Sequence, residues 1–238
     1  MAIYNYLLVA LLLIVAAIIS VTTQKLTISA AISGVVVGTL VFYGTGYTGL
    51  TMLSAFFVLG TSATSWKKKE KQSAKATGDQ SVQRNAGQVL ANGGVAGIMG
   101  ILTGLIPLKA DLFVLMMSAS LASAMADTLS SELGMVFGCR FYNIITFKRD
   151  QKGLDGVISL EGTLMGVTGS AIIAIIYAIG FGWNKGFLLI IICGTIGNLT
   201  DSVLGATLER KHYLNNDMVN FLNTLIAALA AGVLYLLM

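Results

Sequence analysis

Eight apolar stretches, each about as long as a membrane span, limit what this chain can fold into. They run over Ile3–Ser20, Leu26–Tyr43, Thr48–Ser65, Gln88–Ile106, Leu112–Phe137, Thr163–Phe181, Lys185–Leu208 and Val219–Leu237. About 20 mostly apolar residues form a helix that crosses the bilayer core. With 55% hydrophobic and 11% charged residues, the chain is too apolar to bury these stretches in one soluble core. We therefore expect an all-α, polytopic transmembrane helix bundle that forms a single domain over residues 1–238.

The sequence leaves the number of crossings open between two counts. Polar or glycine-rich residues interrupt the fourth to seventh stretches, and the fourth has features of a broken or re-entrant helix. Eight crossings give a self-consistent distribution of charge, whereas six crossings with re-entrant segments are the alternative. Strong alternation of period two is absent, which argues against an outer-membrane barrel.

Three polar connections, residues 66–87, 138–162 and 209–218, hold most of the charged side chains. With eight crossings all three lie on the side of Lys25, which then holds thirteen of the fifteen Lys and Arg residues. The positive-inside rule makes that side the cytoplasm, so we expect a multi-pass protein of the cell membrane with both termini on the non-cytoplasmic side. Flanking basic residues also explain the net charge of +4, and we predict no nucleic-acid partner. The run Lys67–Lys75 is interpreted as a topology signal only.

Three carboxylates, Asp127, Glu132 and Asp201, lie inside predicted spans, towards the ends that carry the polar connections. An ionised side chain within a span costs roughly 2.5–3.5 kcal/mol on insertion scales, so it usually faces a cavity, a partner or an ion. Glu132 also fits an interfacial residue that reaches water. Asp127 and Asp201 lie deeper, and we interpret both as functional.

Helical spacing divides the three acids into a pair and an outlier. Glu132 follows Asp127 by five residues and points away from it on a regular helix. The predicted metal pair is therefore Asp127 with Asp201, on different helices. Such oxygen ligands suit Mg²⁺, which keeps several waters and binds through one or two carboxylates plus substrate phosphates. Asn198 shares a face with Asp201, and we include it among the candidate nucleotide-binding residues.

A polar stripe at helical spacing leads into the fourth span and consists of Arg84, Asn85, Gln88 and Asn92. Two interpretations are open. The stripe could contact phosphate oxygens, with the glycines that follow it allowing a close backbone approach. Alternatively, it is a helix cap followed by tight packing through glycine.

The second polar connection places the cations Lys148 and Arg149 just before Gly153, Asp155 and Gly156. Fixed cations and flexible backbone amides suit a polyphosphate. Contact with anionic lipid is an equally good interpretation, because juxtamembrane basic residues commonly have that role.

Polar residues also occur on one face of the last span, at Asn220, Asn223 and Thr224. They either pack against the candidate site or form hydrogen bonds between helices. No Ser or Cys nucleophile has a base beside it, and there is no Walker-type loop or HExxH motif.

Four groups of residues carry a family resemblance, and they cover the chain in order from Arg84 to the C-terminus. They are Arg84-Asn85 with Gln88 to Val95, Ala126-Asp127-Thr128 with Ser131 to Gly134, the glycine loop from Gly153 to Thr163, and Gly197 to Thr207 with Val219-Asn220. Together they resemble a family of integral membrane proteins that includes plant phytyl-phosphate kinase. The loop departs from the family pattern, because Gly153-Leu154-Asp155-Gly156-Val157 stands where the family has Gly-Thr-Asn-Gly-Gly.

The resemblance implies an enzyme of the prenyl-phosphate kinase type. Its partners would be a nucleoside triphosphate, with CTP favoured, a prenyl phosphate lipid and membrane lipids, and its product would be prenyl diphosphate at the cytoplasmic membrane face. Mg²⁺ would bind Asp127 and Asp201, and Glu132 would be a further ligand or would orient one. The residues implied in phosphate binding are Arg84, Asn85, Asn92, Lys148 and Arg149.

An ion-coupled membrane transporter that uses intramembrane Asp127 and Asp201 is the alternative function. Carboxylates within spans and interrupted helices are typical of such carriers. A carrier should also have polar residues that continue to the outer side, and that half of this chain is almost entirely apolar. The sequence therefore favours the enzyme.

Overall fold

The computed structural model describes residues 3–72 and 83–238 and is built from α-helices. They are α1 (Ile3–Thr22), α2 (Ile28–Ser65), α3 (Lys68–Gln72), α4 (Ala86–Leu105), α5 (Ala110–Phe137), α6 (Leu160–Phe181), α7 (Gly186–Leu204) and α8 (Asn216–Leu236). Seven of these helices, all except α3, are long and apolar enough to cross a membrane. The predicted polytopic helix bundle is confirmed.

The longest helix, α2, folds back on itself at Gly46. This residue has φ 61° and ψ −149°, a conformation that only glycine adopts readily. A straight helix of 38 residues would be about 57 Å long. Instead, Lys25 Nζ, just before α2, donates a hydrogen bond of 2.8 Å to Ser65 Oγ at its far end. The two arms are therefore antiparallel, and each is long enough to cross a membrane once. Seven helices with one such hairpin fit the predicted count of eight crossings, which stays a prediction.

Helix α4 runs from Ala86 to Leu105 without a break, so the broken or re-entrant fourth span considered from the sequence is not present. Four of its glycines lie against α2, namely Gly93, Gly97, Gly100 and Gly104. At Gly100, a built Cβ would stand 2.5 Å from the carbonyl oxygen of Leu40. Small residues at such contacts let membrane helices approach closely. The glycines of this span therefore serve helix packing.

Helix α5 lies at the centre of the bundle and packs against α2, α4, α6, α7 and α8. Every residue from Val114 to Ala126 is buried. Helix α1, by contrast, packs on α2 and exposes most of its apolar side chains. The centre of the fold is thus the helix that carries Asp127 near its last third.

The described parts of the three polar connections meet at one end of the bundle, which we call the loop end. A short antiparallel hairpin, β1 (Tyr142–Asn143) with β2 (Val157–Ile158), forms within the second connection, where the sequence predicted only a loop. After α7 the helix widens into one π-turn over Gly205–Glu209. Arg210 donates to Asp150 Oδ2 over 2.9 Å and so joins the second connection to the third.

Candidate active site

Asp127 of α5 and Asp201 of α7 meet near the loop end, as the sequence predicted. Their carboxyl groups lie close enough to interact directly, and both residues are partly buried. Glu209 and Glu132 lie close enough to act electrostatically on Asp127. Two ionised carboxylates this close repel each other unless a cation or a shared proton lies between them. The pair is therefore a natural place for a cation.

Asp201 is held by Asn223 of α8, whose Nδ2 donates to Asp201 Oδ1 over 2.7 Å. The other end of the same amide accepts a hydrogen bond of 2.9 Å from Ser123 Oγ of α5. Asn223 is fully buried. The sequence offered two interpretations for the polar face of the last span, and at Asn223 both are correct, because it bonds between helices and contacts the site.

Arg84 lies near Asp127 at the loop end of the bundle. Its backbone bridges to the turn before α2, accepting from Thr27 N and donating to Lys25 O. Its guanidinium lies over the Phe56 ring, 5.9 Å from the centroid. Burial lowers the pKa of this guanidinium, and the charges of Glu132 and Asp127 oppose that shift. An arginine keeps its charge under such conditions, so Arg84 supplies a fixed cation beside the carboxylates.

Glu132 forms an ion pair with Lys71 of α3. The Lys71 ammonium also donates to the carbonyl oxygens of Ala63 and Thr64, over 2.7 and 2.9 Å, at the end of α2. The interpretation of Lys67–Lys75 as a topology signal is therefore wrong for Lys71, which is buried and structural; Lys75 lies outside the described residues. Glu132 has a protein partner already, and its predicted role as a metal ligand is not supported by this contact.

The glycine loop is fixed beside the aspartate pair by α7 and the π-turn. Gly156 has φ 70°, and a Cβ built there would lie 2.4 Å from Ala206 N. Arg210 Nε donates to the carbonyl oxygen of Asp155, and the Asp155 carboxylate acts electrostatically on Asp201. Asp155 and Gly156 thus lie beside the aspartate pair, although the sequence did not identify Arg210 as the residue that holds this loop, and the predicted phosphate-binding roles of Gly153, Asp155 and Gly156 stay predictions.

The polar stripe that leads into α4 mainly caps and stabilises this helix. Asn85 is the N-cap of α4 and forms a capping box with Gln88, in which each side chain accepts from the other residue's backbone N–H. Asn92 Nδ2 donates to Gln88 O over 2.9 Å. The capping bond uses the side-chain oxygen of Asn85 and not its NH₂ group, which is the group that could donate to a phosphate, so phosphate contact by Asn85 stays a prediction.

The remaining candidates differ in position. Asn198 is buried one turn before Asp201, where a Cβ built on Gly166 of α6 would lie 2.6 Å from its Nδ2 and 3.1 Å from the carbonyl oxygen of Ala126. Lys148 and Arg149 are exposed on the hairpin connection. Within the described residues neither cation forms an ion pair. Their predicted roles with phosphate or nucleotide stay predictions.

The donor set at the pair fits a weakly held Mg²⁺ better than a closed metal centre. In the described part of the chain, no three His, Cys, Asp or Glu side chains converge where they would hold a metal ion. Mg²⁺ commonly binds proteins through one or two carboxylates and completes its shell with water and substrate phosphate. Asp127 and Asp201 would hold the ion in that manner.

Comparison with known proteins places this chain in a family. The family model described as integral membrane protein DUF92 matches residues 11–228, which is nearly the whole chain. The chain belongs to the integral membrane DUF92 family. All the residues of the candidate site lie within the matched range.

Relatives of this DUF92 protein come from archaea, bacteria and plants. It is 34% identical over 205 residues to an uncharacterized membrane protein of Methanocaldococcus jannaschii, covering 84% of this chain and 82% of the relative. It is 30% identical over 213 residues to the chloroplast protein VTE6 of Arabidopsis thaliana, covering 87% of this chain and 64% of VTE6. An uncharacterized membrane protein of Synechocystis is 29% identical over 202 residues, with coverage of 83% and 78%. No solved structure matches the chain.

Proposed function

We propose that this protein catalyses Mg²⁺-dependent phosphoryl transfer from a nucleoside triphosphate, with CTP favoured, to a prenyl monophosphate, giving the diphosphate. The observation that carries the proposal is the meeting of Asp127 and Asp201, from two different helices, beside Arg84 and below the glycine loop. The resemblance to the family that includes plant phytyl-phosphate kinase supports the choice of reaction.

The arrangement suits phosphoryl transfer because the reaction needs positioning and charge neutralisation more than a strong base. The acceptor phosphate oxygen is already anionic. It forms a bond to the γ-phosphorus while the bond from that phosphorus to the bridging oxygen breaks, and the nucleoside diphosphate leaves. Bound Mg²⁺ would neutralise phosphate charge at Asp127 and Asp201. Arg84 would add a fixed positive charge, and the loop at Gly156 would bring backbone N–H groups to the nucleotide.

The isoprenoid tail requires an apolar surface that opens to lipid at the same end of the bundle. A groove of about 310 Å³ is lined by Phe57, Val58 and Thr61 of α2, with Lys25 and Ser65 at its polar end. The opposite face of this arm meets Arg84 at Gly60, where a built Cβ would lie 3.5 Å from Nη2. The groove therefore faces away from Arg84, and the tail would instead lie along the exposed apolar side chains of the spans, with its phosphate at the loop end.

A transporter is the weaker candidate because the charge does not continue through the bundle. In the seven spanning helices, Asp111 at the start of α5 is the only charged side chain outside the loop-end half. Carriers place their substrate and ion sites near the bilayer midplane. Here the carboxylates lie towards one end, where a water-soluble nucleotide has access.

The first test is transfer by the purified protein in detergent. Each nucleoside triphosphate is supplied in turn with Mg²⁺ and prenyl monophosphates of short and long chain, and prenyl diphosphate is detected. We expect product, with CTP the best donor. Asp127→Asn and Asp201→Asn should each lower kcat about a hundredfold or more, in the range typical of lost electrostatic stabilisation.

The matched control is Asp111→Asn, which removes a carboxylate at the opposite end of the same helix and should leave kcat unchanged. Folded Asp127→Asn or Asp201→Asn protein with full activity would refute the metal assignment. If folded wild-type protein gives no product with any nucleotide and lipid, the kinase proposal fails, and flux measurements in liposomes then test transport.

A further inference from the structure

Asn223 connects the two helices that carry the aspartates. Its Nδ2 lies 2.7 Å from Asp201 Oδ1, and its Oδ1 lies 2.9 Å from Ser123 Oγ. Ser123 is one helical turn before Asp127 on α5, so the two residues share a face. Asn223 and Ser123 are both fully buried. The hydrogen-bonded chain therefore fixes the position of α7 relative to α5 directly below the carboxylate pair.

The direction of the Asn223 amide follows from its partners. A carboxylate accepts hydrogen bonds only, so the NH₂ group of Asn223 has to face Asp201. The carbonyl oxygen then faces Ser123, whose hydroxyl can donate to it. Reversal of the amide would place two acceptors against each other at Asp201. The hydroxyl of Ser123 thus favours the orientation in which Asn223 is a donor to Asp201.

Close packing keeps these groups in place. A Cβ built on Gly197, one turn before Asp201 on α7, would lie 2.1 Å from Ser123 Oγ and 2.9 Å from the backbone carbonyl oxygen of Asn223. Three helices therefore meet without room for another side chain. With one Asp201 oxygen bonded to Asn223, the second oxygen remains for Asp127 or a cation.

We propose that Asn223, oriented by Ser123, is a positioning residue that holds Asp201 in the geometry in which it binds a divalent cation together with Asp127. The inference rests on the proposed function in that the cation is the one used for phosphoryl transfer. Groups that orient a metal ligand in this way typically contribute 10–100-fold to metal affinity.

The test is Mn²⁺ binding, followed by electron paramagnetic resonance, to purified full-length protein in detergent without nucleotide or lipid. Asn223→Leu is close in size, adds no charge and removes the donor. It should raise the Kd for Mn²⁺ at least tenfold and raise the KM for Mg²⁺ in the transfer assay, with the KM for prenyl phosphate unchanged. Ser123→Ala should weaken Mn²⁺ binding in the same direction by a smaller factor.

The matched control is Thr224→Val at the next residue of α8, which is also fully buried and bonds to backbone carbonyls only. It should leave the Kd for Mn²⁺ unchanged. Wild-type affinity in Asn223→Leu would overturn the inference and leave the proposed function standing. If Asn223→Leu does not fold, an unchanged Mn²⁺ affinity in Ser123→Ala overturns it instead. Failure of the wild-type protein to bind Mn²⁺ and to transfer phosphate would overturn both.

Discussion

The ion pair between Lys71 and Glu132 allows a stability prediction with a defined magnitude. The two side chains are 4% and 14% exposed, so little water screens them. Removing one partner of a buried ion pair typically costs about 3–5 kcal/mol, since the other charge stays buried and unpaired. Arg84 also acts on Glu132 and replaces part of the lost attraction. We therefore expect Lys71→Met to destabilise the protein by about 3 kcal/mol, the lower end of this range.

The chain supplies its own reporter for this measurement. Trp66 caps the end of α2, next to α3, and the other tryptophan, Trp183, lies at the opposite end of the bundle. In a Trp183→Phe background, fluorescence of Trp66 follows unfolding in mixed micelles as the fraction of denaturing detergent rises. The free energy of unfolding is then compared between the Lys71→Met variant and its parent.

Lys69→Met is the matched control, because it removes an exposed lysine of the same short helix and should change stability by no more than about 0.5 kcal/mol. Adding Glu132→Gln to Lys71→Met should recover part of the loss, since no unpaired charge then remains. If Lys71→Met is no more destabilising than Lys69→Met, the ion pair does not hold α3 on the bundle and the reasoning is refuted.

Two further predictions concern the loop end. Gly156→Ala would place a methyl group 2.4 Å from Ala206 N at a positive φ, so we expect the KM for nucleotide in the transfer assay to rise at least about tenfold. The control is Gly182→Ala, also at a positive φ but with open space around it, which should leave this KM unchanged. Equal KM values in the two variants would contradict the role of the loop. A backbone N–H and the Arg210 guanidinium hold the pKa of Asp150 below its usual value of 3.8, so their contact stabilises the loop at neutral pH and is lost as the pH falls through the lowered pKa. Hydrogen exchange of the loop amides, corrected for the intrinsic rate, should rise below pH 3.8 in the wild type and show no such step in Asp150→Asn.

Each aspartate of the pair could be identified because its own signal is local, whereas their meeting depends on how α5 and α7 pack. A carboxylate within an apolar stretch is visible in the sequence, and helical spacing alone separated Glu132 from Asp127. The break in α2 was also readable, since the predicted spans ended at Tyr43 and resumed at Thr48. In each case the information lies within a few residues of the feature.

The partners of these residues could not be predicted in the same way. Lys71 and Glu132 are 61 positions apart, and Arg210 and Asp150 are 60 apart, so each contact depends on how the helices pack. Lys71 differs from its lysine neighbours only because α3 turns it inwards. The strands β1 and β2 have two residues each, too few for any alternating pattern to appear.

The central position of α5 has a consequence for biosynthesis. This helix carries Asp127 and Glu132 into the bilayer, together with several buried serines, before α7 and α8 have been made. Neither Asp201 nor Asn223 exists at that stage, so the nascent chain holds an incomplete, charged half of the site against lipid or the insertion machinery. Stable insertion of α5 is therefore expected to depend on the later helices, and chains that stop before α7 should be recognised as unassembled and degraded.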